Sequence, residues 1–144
     1  MKVSNEIINI FPEIKKWRHE LHAHPELGYE EEWTSNFVAE KLESFGLEIH
    51  RGMAKTGVVG VLKGANASLG GGGNKAIGLR ADMDALPMIE ENNFSYKSKF
   101  DGRMHACGHD GHTAMLLGAA KLLSSKKDFD GTVYFIFQPA EEGG

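Results

Sequence analysis

Apolar residues in the first part of the chain recur every three or four positions, a spacing that is typical of amphipathic helices. Over residues 5–24 these positions are Ile7, Ile10, Phe11, Ile14, Trp17 and Leu21. A second such run covers residues 31–45 and is followed by Gly46, a residue type common at helix C-termini. The pattern therefore predicts two helices, each with one apolar face.

The middle of the chain contains short runs of strand-forming residues that are separated by glycines. These runs are residues 47–50, 57–63 and 75–81. The last two are joined by residues 64–74, a glycine-rich segment that predicts a flexible hairpin loop. A phosphate-binding loop is the alternative, but neither a Lys-Ser/Thr pair nor a helix start follows the glycines at the required place.

The second half of the chain predicts a third helix and a final strand. Residues 112–125 have helical apolar spacing, and residues 132–138 form the strand. In that strand Val133, Phe135 and Phe137 alternate with residues that are apolar as well. We therefore expect it to be central in its sheet and buried on both faces. Helices mixed with strands predict an α/β layered fold.

Composition and charge narrow the possible function classes. The length of 144 residues, with 41% hydrophobic and 25% charged residues, fits one globular domain. A net charge of -4 argues against general affinity for nucleic acid or for an anionic membrane surface. The N-terminal segment is amphipathic and carries no secretory cleavage pattern, and no stretch is long enough to span a bilayer. We therefore expect a cytoplasmic protein.

Three segments carry side chains that can bind metal ions, and the first of them follows the predicted strand 75–81. It contains Asp82 and Asp84. In extended backbone, carboxylates at this spacing point in the same direction, so they could serve one site. An ordinary acidic turn before Pro87 is the alternative.

The second segment, residues 104–113, groups three of the seven histidines around the only cysteine at the start of a predicted helix. A helix N-terminus lowers the pKa of a thiol, and a thiolate is a strong ligand for zinc-like ions. Only Gly108 separates Cys107 from His109, so both side chains can turn toward one centre. The alternative is a buried cysteine flanked by histidines that cap the helix.

The third segment follows the strand 132–138 and contains the adjacent residues Glu141 and Glu142. Paired carboxylates beside a buried strand are costly unless they bind something. One could ligate a metal ion while the other transfers protons, and a solvated loop is the alternative. Because neighbours in extended backbone point to opposite sides, we expect the two glutamates to have different roles.

Together these segments resemble the family of hippurate hydrolases and indole-acetyl-amino acid hydrolases, which are dinuclear metallo-aminoacylases and carboxypeptidases. The similarity covers essentially the whole chain from residues 17–27 onward and is strongest over 78–88, 105–114 and 135–144. It implies an α/β catalytic domain with a mixed sheet flanked by helices, of which residues 1–144 are the N-terminal portion. It also implies that a smaller lid domain, through which longer relatives dimerise, is absent from this chain.

The resemblance implies metal-dependent hydrolysis of the amide bond of a small-molecule N-acyl amino acid. Cys107 is similar to the thiolate that bridges two divalent metal ions, His109 to a terminal ligand of one ion, and Glu142 to a ligand of the other. Glu141 is similar to the general base. Manganese or zinc is expected, and cobalt or nickel also suits this mixture of ligands.

Two acidic positions and two missing histidines distinguish this chain from the family pattern. Asp84 matches an acid that orients a ligand, and Asp82 stands where the wider clan has a ligand histidine, so neither is expected to bind an ion directly. Two further ligand histidines of the family lie beyond the last residue, so we expect this chain to be incomplete and inactive alone. A non-catalytic metal-binding remnant, or a hydrolase that uses Cys107 as nucleophile, are the alternatives.

Overall fold

The computed structural model describes residues 3–66 and 75–143. Within these ranges the elements are α1 (Asn5–Ala23), α2 (Glu32–Ser44), β1 (Glu48–Met53), β2 (Gly57–Lys63), β3 (Ala76–Asp82), α3 (His109–Lys126), β4 (Thr132–Gln138) and a 3₁₀ turn (Glu141–Gly143). Every predicted helix and strand is present, with ends that differ by up to three residues. Most of the glycine-rich loop predicted over 64–74 lies outside the described residues.

The four described strands form one mixed sheet in the order β1-β2-β4-β3. β2 pairs antiparallel with both β1 and β4, whereas β3 pairs parallel with β4. A parallel pair needs a crossover connection, and α3 lies in the connection between β3 and β4. The register pairs Asp82 with Gln138, so the two strands end side by side. The predicted α/β fold, a mixed sheet flanked by helices, is confirmed.

Helix α3 begins at His109, three residues before the predicted start at residue 112. The cause is Gly108, which precedes the helix with φ +93°, a left-handed conformation that favours glycine. The hydroxyl of Thr113 donates to the carbonyl of Asp82 at 2.9 Å and so fastens the first turn to the end of β3. His109 is therefore a buried helical residue at the carboxyl edge of the sheet.

One hydrophobic core lies between the three helices and one face of the sheet. It includes Trp17 and Leu21 of α1, with further members on α2, α3 and the strands: Val38, Leu42, Val58, Leu62, Ala81, Leu117, Phe135 and Phe137. Among the described helices, none combines the length and the apolar run needed to cross a bilayer.

The expectation that β4 is buried on both faces is wrong for the described residues, although the strand is interior to the sheet. Phe135 and Phe137 are 0% and 1% exposed, whereas Tyr134 is 39% exposed and Ile136 is only partly buried. The buried residues of all three helices share one cluster with Phe135 and Phe137. Since the described helices pack on that side, Tyr134 and Ile136 lie on a face that they do not cover.

Alanine substitutions at two neighbouring positions of β4 test this one-sided burial. Phe135→Ala should lower the free energy of unfolding by about 3–5 kcal/mol, because it leaves a cavity in the core. Tyr134→Ala should lower it by less than about 1 kcal/mol, because that side chain is already in contact with water. Chemical denaturation of both variants measures the difference. Equal losses would show that the face of Tyr134 is also buried in solution.

Candidate metal centre

The segments that follow β3 and β4 lie against each other at the carboxyl edge of the sheet. The N–H of Met83 donates to the carbonyl of Gln138 at 3.0 Å, which extends the strand pairing by one step. Beyond it, the N–H of Glu142 donates to a carboxylate oxygen of Asp84 at 3.0 Å. These two hydrogen bonds join the acidic residues after β3 to those after β4.

The imidazole of His109 is fixed in one orientation. Its Nδ1 lies 2.9 Å from the backbone carbonyl of Asp84, and a carbonyl can only accept, so Nδ1 carries the proton. Nε2 is then left with a free lone pair. It lies 3.7 Å from Oε2 of Glu141 and 3.9 Å from Oε1 of Glu142. Metal-binding histidines are typically held in this way, with the other ring nitrogen donating to a carbonyl or carboxylate.

The three residues for which sequence similarity predicts metal binding are brought together. One donor atom from each of Cys107, His109 and Glu142 lies within 4.8 Å of the other two. His109 is buried, while Cys107 and Glu142 are exposed. One side of the cluster is therefore rigid and enclosed, and the other is open to solvent.

The Cys107 thiol lies in a negatively charged environment. A hydrogen bond to Glu142 raises the pKa of this thiol above its ordinary value, and burial and the charges of Glu141 and Asp82 add to the effect. The expectation that a helix N-terminus lowers this pKa is wrong for the polypeptide alone. The reason is that the neighbouring carboxylates outweigh the effect of the helix start at His109, two residues after Cys107. A nearby cation would reverse the balance in favour of the thiolate.

These donors fit a divalent transition-metal ion. Thiolate, imidazole and carboxylate are the ligands that zinc and related ions bind, at about 2.0–2.3 Å. In tetrahedral geometry such ligand atoms are separated by about 3.3–3.8 Å. The distances from Nε2 of His109 to Glu141 and Glu142 are 3.7 and 3.9 Å, too long for hydrogen bonds and close to that range.

A second group of possible donors comprises Asp82, His109 and His112, whose donor atoms also lie within 4.8 Å of one another. His109 belongs to both groups, but its one free nitrogen can bind a single ion. Asp82 is already paired with Arg80, and its other oxygen lies 3.6 Å from Nδ1 of His112. The described residues thus offer one independent three-donor site, and a second ion would have to share a ligand such as the Cys107 thiolate.

Asp82 and Asp84 both lie at this edge, but they contact different partners. Asp84 is 1% exposed, and its carboxylate reaches the N–H of Glu142 at 3.0 Å and Nδ1 of His109 at 3.3 Å. It therefore touches two of the three predicted ligands. Asp82 faces Arg80 and His112 instead.

Glu141 and Glu142 lie on the same side of the chain, so the expectation that they point to opposite sides is wrong. β4 ends at Gln138, Ala140 adopts φ +54°, and the glutamates begin a 3₁₀ turn. In a turn, unlike a strand, adjacent side chains do not alternate. Both carboxylates therefore come within 4 Å of Nε2 of His109.

A buried polar network contacts the first turn of α3 through Asp110. His22 is 2% exposed, and its two ring nitrogens lie 2.6 Å from Asp110 and 2.9 Å from Glu90. Arg18 also reaches Asp110, at 2.9 Å. The hydrogen bond to Asp110, followed by that to Glu90, raises the pKa of His22. This network holds Asp110, the residue next to His109, in place.

Sequence reasoning did not single out Glu31, which the hydrophobic pattern places simply at the start of a helix. Its side chain is fully buried and accepts hydrogen bonds from Thr56 and from the backbone of Ala140. An acidic residue at a helix N-terminus is ordinary, because it complements the helix dipole. No local signal therefore distinguishes a buried glutamate at this position from an exposed one.

The chain resembles proteins of one metallohydrolase family. The model of "Peptidase family M20/M25/M40" matches residues 78–144. The hippurate hydrolase of Campylobacter jejuni is 52% identical over 143 residues, which are 99% of this chain and 36% of that protein. The N-acyl-L-amino acid amidohydrolase of Geobacillus stearothermophilus is 50% identical over 143 residues, which are 95% of this chain and 37% of that protein.

Solved structures show the same relationship. The Bacillus subtilis YXEP protein, described as a dinuclear metal-binding peptidase of the M20 family, superposes with a TM-score of 0.85 and is 43% identical. The match covers 94% of this chain and 37% of the YXEP chain. The present chain thus spans little more than a third of the length of these relatives.

Proposed function

We propose that this chain, whose residues 78–144 match the model of peptidase family M20/M25/M40, provides the metal-binding part of an amidohydrolase that cleaves N-acyl amino acids. The observation that carries the proposal is the convergence of Cys107, His109 and Glu142 within 4.8 Å, with the imidazole already oriented by a backbone carbonyl. The substrate class rests on the relatives, which include a hippurate hydrolase and an N-acyl-L-amino acid amidohydrolase at 52% and 50% identity.

The proposed cofactor is a pair of divalent metal ions, manganese or zinc, with cobalt and nickel as chemically suitable alternatives. When bound, such ions supply Lewis acidity that activates a water molecule and polarises the scissile carbonyl. In this proposal Cys107, His109 and Glu142 would hold the ions: the thiolate of Cys107 would be shared by both, His109 would be a terminal ligand of one, and Glu142 would be a ligand of the other. Sharing of the Cys107 thiolate is consistent with the one free nitrogen of His109, because that nitrogen can bind only one of the two ions.

Glu141 is proposed as the general base. Its carboxylate is 40% exposed at the open side of the cluster and lies 3.7 Å from Nε2 of His109, so it can reach both solvent and the centre. It would take a proton from the attacking water at a carboxylate oxygen and return it to the nitrogen of the leaving amine. Asp84 would orient His109 and Glu142, both of which it contacts. Asp82 would remain paired with Arg80 and bind no ion itself.

A hydrolase that uses Cys107 as nucleophile is not favoured. A cysteine attacks as the thiolate, which a lowered pKa favours. The neighbouring Glu142 instead raises the pKa of this thiol.

The proposal extends to the setting of the protein. A thiolate ligand requires that Cys107 stays reduced, which agrees with a cytoplasmic location. The net charge of -4 is consistent with a small-molecule substrate rather than a nucleic acid or an anionic membrane. Dimerisation of longer relatives through a smaller lid domain is a further proposal, and it rests on the family resemblance alone.

We expect the 144-residue chain alone to hydrolyse N-acyl amino acids far below a normal enzymatic rate. The described residues offer only Cys107, His109 and Glu142 as proposed ligands for two ions, and catalysis needs both metals and the substrate to be held in place. Purified chain would be assayed on hippurate and N-acetyl amino acids with added manganese or zinc. Chelator-sensitive turnover on the order of 1 per second or faster would contradict this expectation.

Glutamine substitutions separate the roles of the two glutamates. Glu142→Gln should weaken zinc binding by the 144-residue chain by about tenfold or more, because it removes a ligand. Glu141→Gln should leave zinc affinity nearly unchanged and serves as the matched control, since it removes the same charge one residue away. Competition with a chromophoric chelator measures both affinities. If Glu141→Gln releases the metal and Glu142→Gln retains it, the assigned roles are reversed.

A further inference from the structure

Glu31 is a fully buried carboxylate at the N-terminus of α2, and among the described residues it forms no ion pair. One of its oxygens accepts from the hydroxyl of Thr56 at 2.7 Å, and the other accepts from the backbone N–H of Ala140 at 2.8 Å. Burial of a carboxylate is costly unless its oxygens are satisfied. The carboxylate of Glu31 is therefore a structural anchor that fixes Thr56 and Ala140 relative to each other. Ala140 belongs to the segment that leads to the candidate metal centre.

The anchored position is the point at which the chain turns. Ala140 has φ +54°, a conformation that residues other than glycine seldom adopt, so surrounding contacts must hold it. The next residues are Glu141 and Glu142. The turn is thus held on both sides, since Glu31 accepts from the N–H of Ala140 and Asp84 accepts from the N–H of Glu142.

The segment before α2 also packs directly on this turn. A Cβ atom added at Gly28 would lie 3.0 Å from both Cα and Cβ of Ala140 and 3.6 Å from a carboxylate oxygen of Asp84. The carbonyl of Glu26 accepts from the N–H of Ala85 at 2.8 Å. Residues 26–31 therefore contact the acidic segment after β3 as well as the one after β4.

We propose that Glu31 is a positioning residue for the metal centre: by accepting the N–H of Ala140 it fixes the turn that presents Glu141 and Glu142 to His109. The inference rests on the proposed function, since it assigns Glu31 to that same site. Residues that hold metal ligands in place typically change metal affinity by about 10- to 100-fold when they are replaced.

The test uses cobalt binding by the 144-residue chain, followed through the thiolate-to-cobalt charge-transfer absorption that reports ligation by Cys107. Glu31→Ala should weaken cobalt binding by about tenfold or more and reduce the intensity of that absorption. Glu31→Gln should largely restore both, because its amide oxygen can still accept from Ala140 while its amino group donates to Thr56. Val38→Ala, a core substitution in the same helix, is the control for general destabilisation and should leave cobalt affinity unchanged.

A second readout does not depend on metal. Amide hydrogen exchange at Ala140 should be faster in Glu31→Ala than in the unsubstituted chain, and near normal in Glu31→Gln. Unchanged exchange at Ala140, or a loss of cobalt affinity in Val38→Ala as large as that in Glu31→Ala, would overturn the proposal. If the unsubstituted chain binds no cobalt, the proposed function fails and the metal-positioning role of Glu31 fails with it. In that case, faster exchange at Ala140 in Glu31→Ala would identify Glu31 as a purely structural anchor.

Discussion

The parallel pairing of β3 with β4 is the constraint on which the candidate centre depends. Parallel strands end at the same edge of a sheet, and the register that pairs Asp82 with Gln138 makes the two acidic segments leave that edge together. The α3 crossover between these strands must return to the start of β4, and its first turn therefore lies at this edge with His109. Residues far apart in sequence meet here because of strand direction, without any local signal that links them.

Buried carboxylates shape the loops around this centre by accepting backbone N–H groups. Glu31 accepts from Ala140, and Asp84 accepts from Glu142. Loops that carry ligands are polar and cannot be fixed by apolar packing alone, so hydrogen bonds to buried side chains fix them instead. In the proposed metal centre, His109 is therefore oriented before any ion binds, and the nearby carboxylates would favour a cation beside it.

The sequence allowed the elements to be predicted, because periodicity is a local property, whereas the ligand roles of Cys107, His109 and Glu142 were implied only by the family resemblance and remain predictions. Features set by backbone geometry or tertiary contact were not predictable. The early start of α3 depends on the left-handed Gly108, and the common orientation of Glu141 and Glu142 depends on the positive φ of Ala140. The apolar alternates of β4 suggested burial on both faces, since hydrophobicity does not reveal which face the described helices cover. Glu31 had no signature, because its burial arises from contacts with distant residues.

Ligation of divalent ions by Cys107, His109 and Glu142 is the central proposal. X-ray absorption spectroscopy of the zinc-loaded 144-residue chain tests this most directly, because sulfur ligands are distinguished from lighter ones by distance. We expect one sulfur at about 2.3 Å together with nitrogen and oxygen ligands at about 2.0–2.2 Å. The sulfur contribution should disappear in Cys107→Ser. A zinc environment of nitrogen and oxygen alone in the unsubstituted chain, unaffected by Cys107→Ser, would contradict the claim.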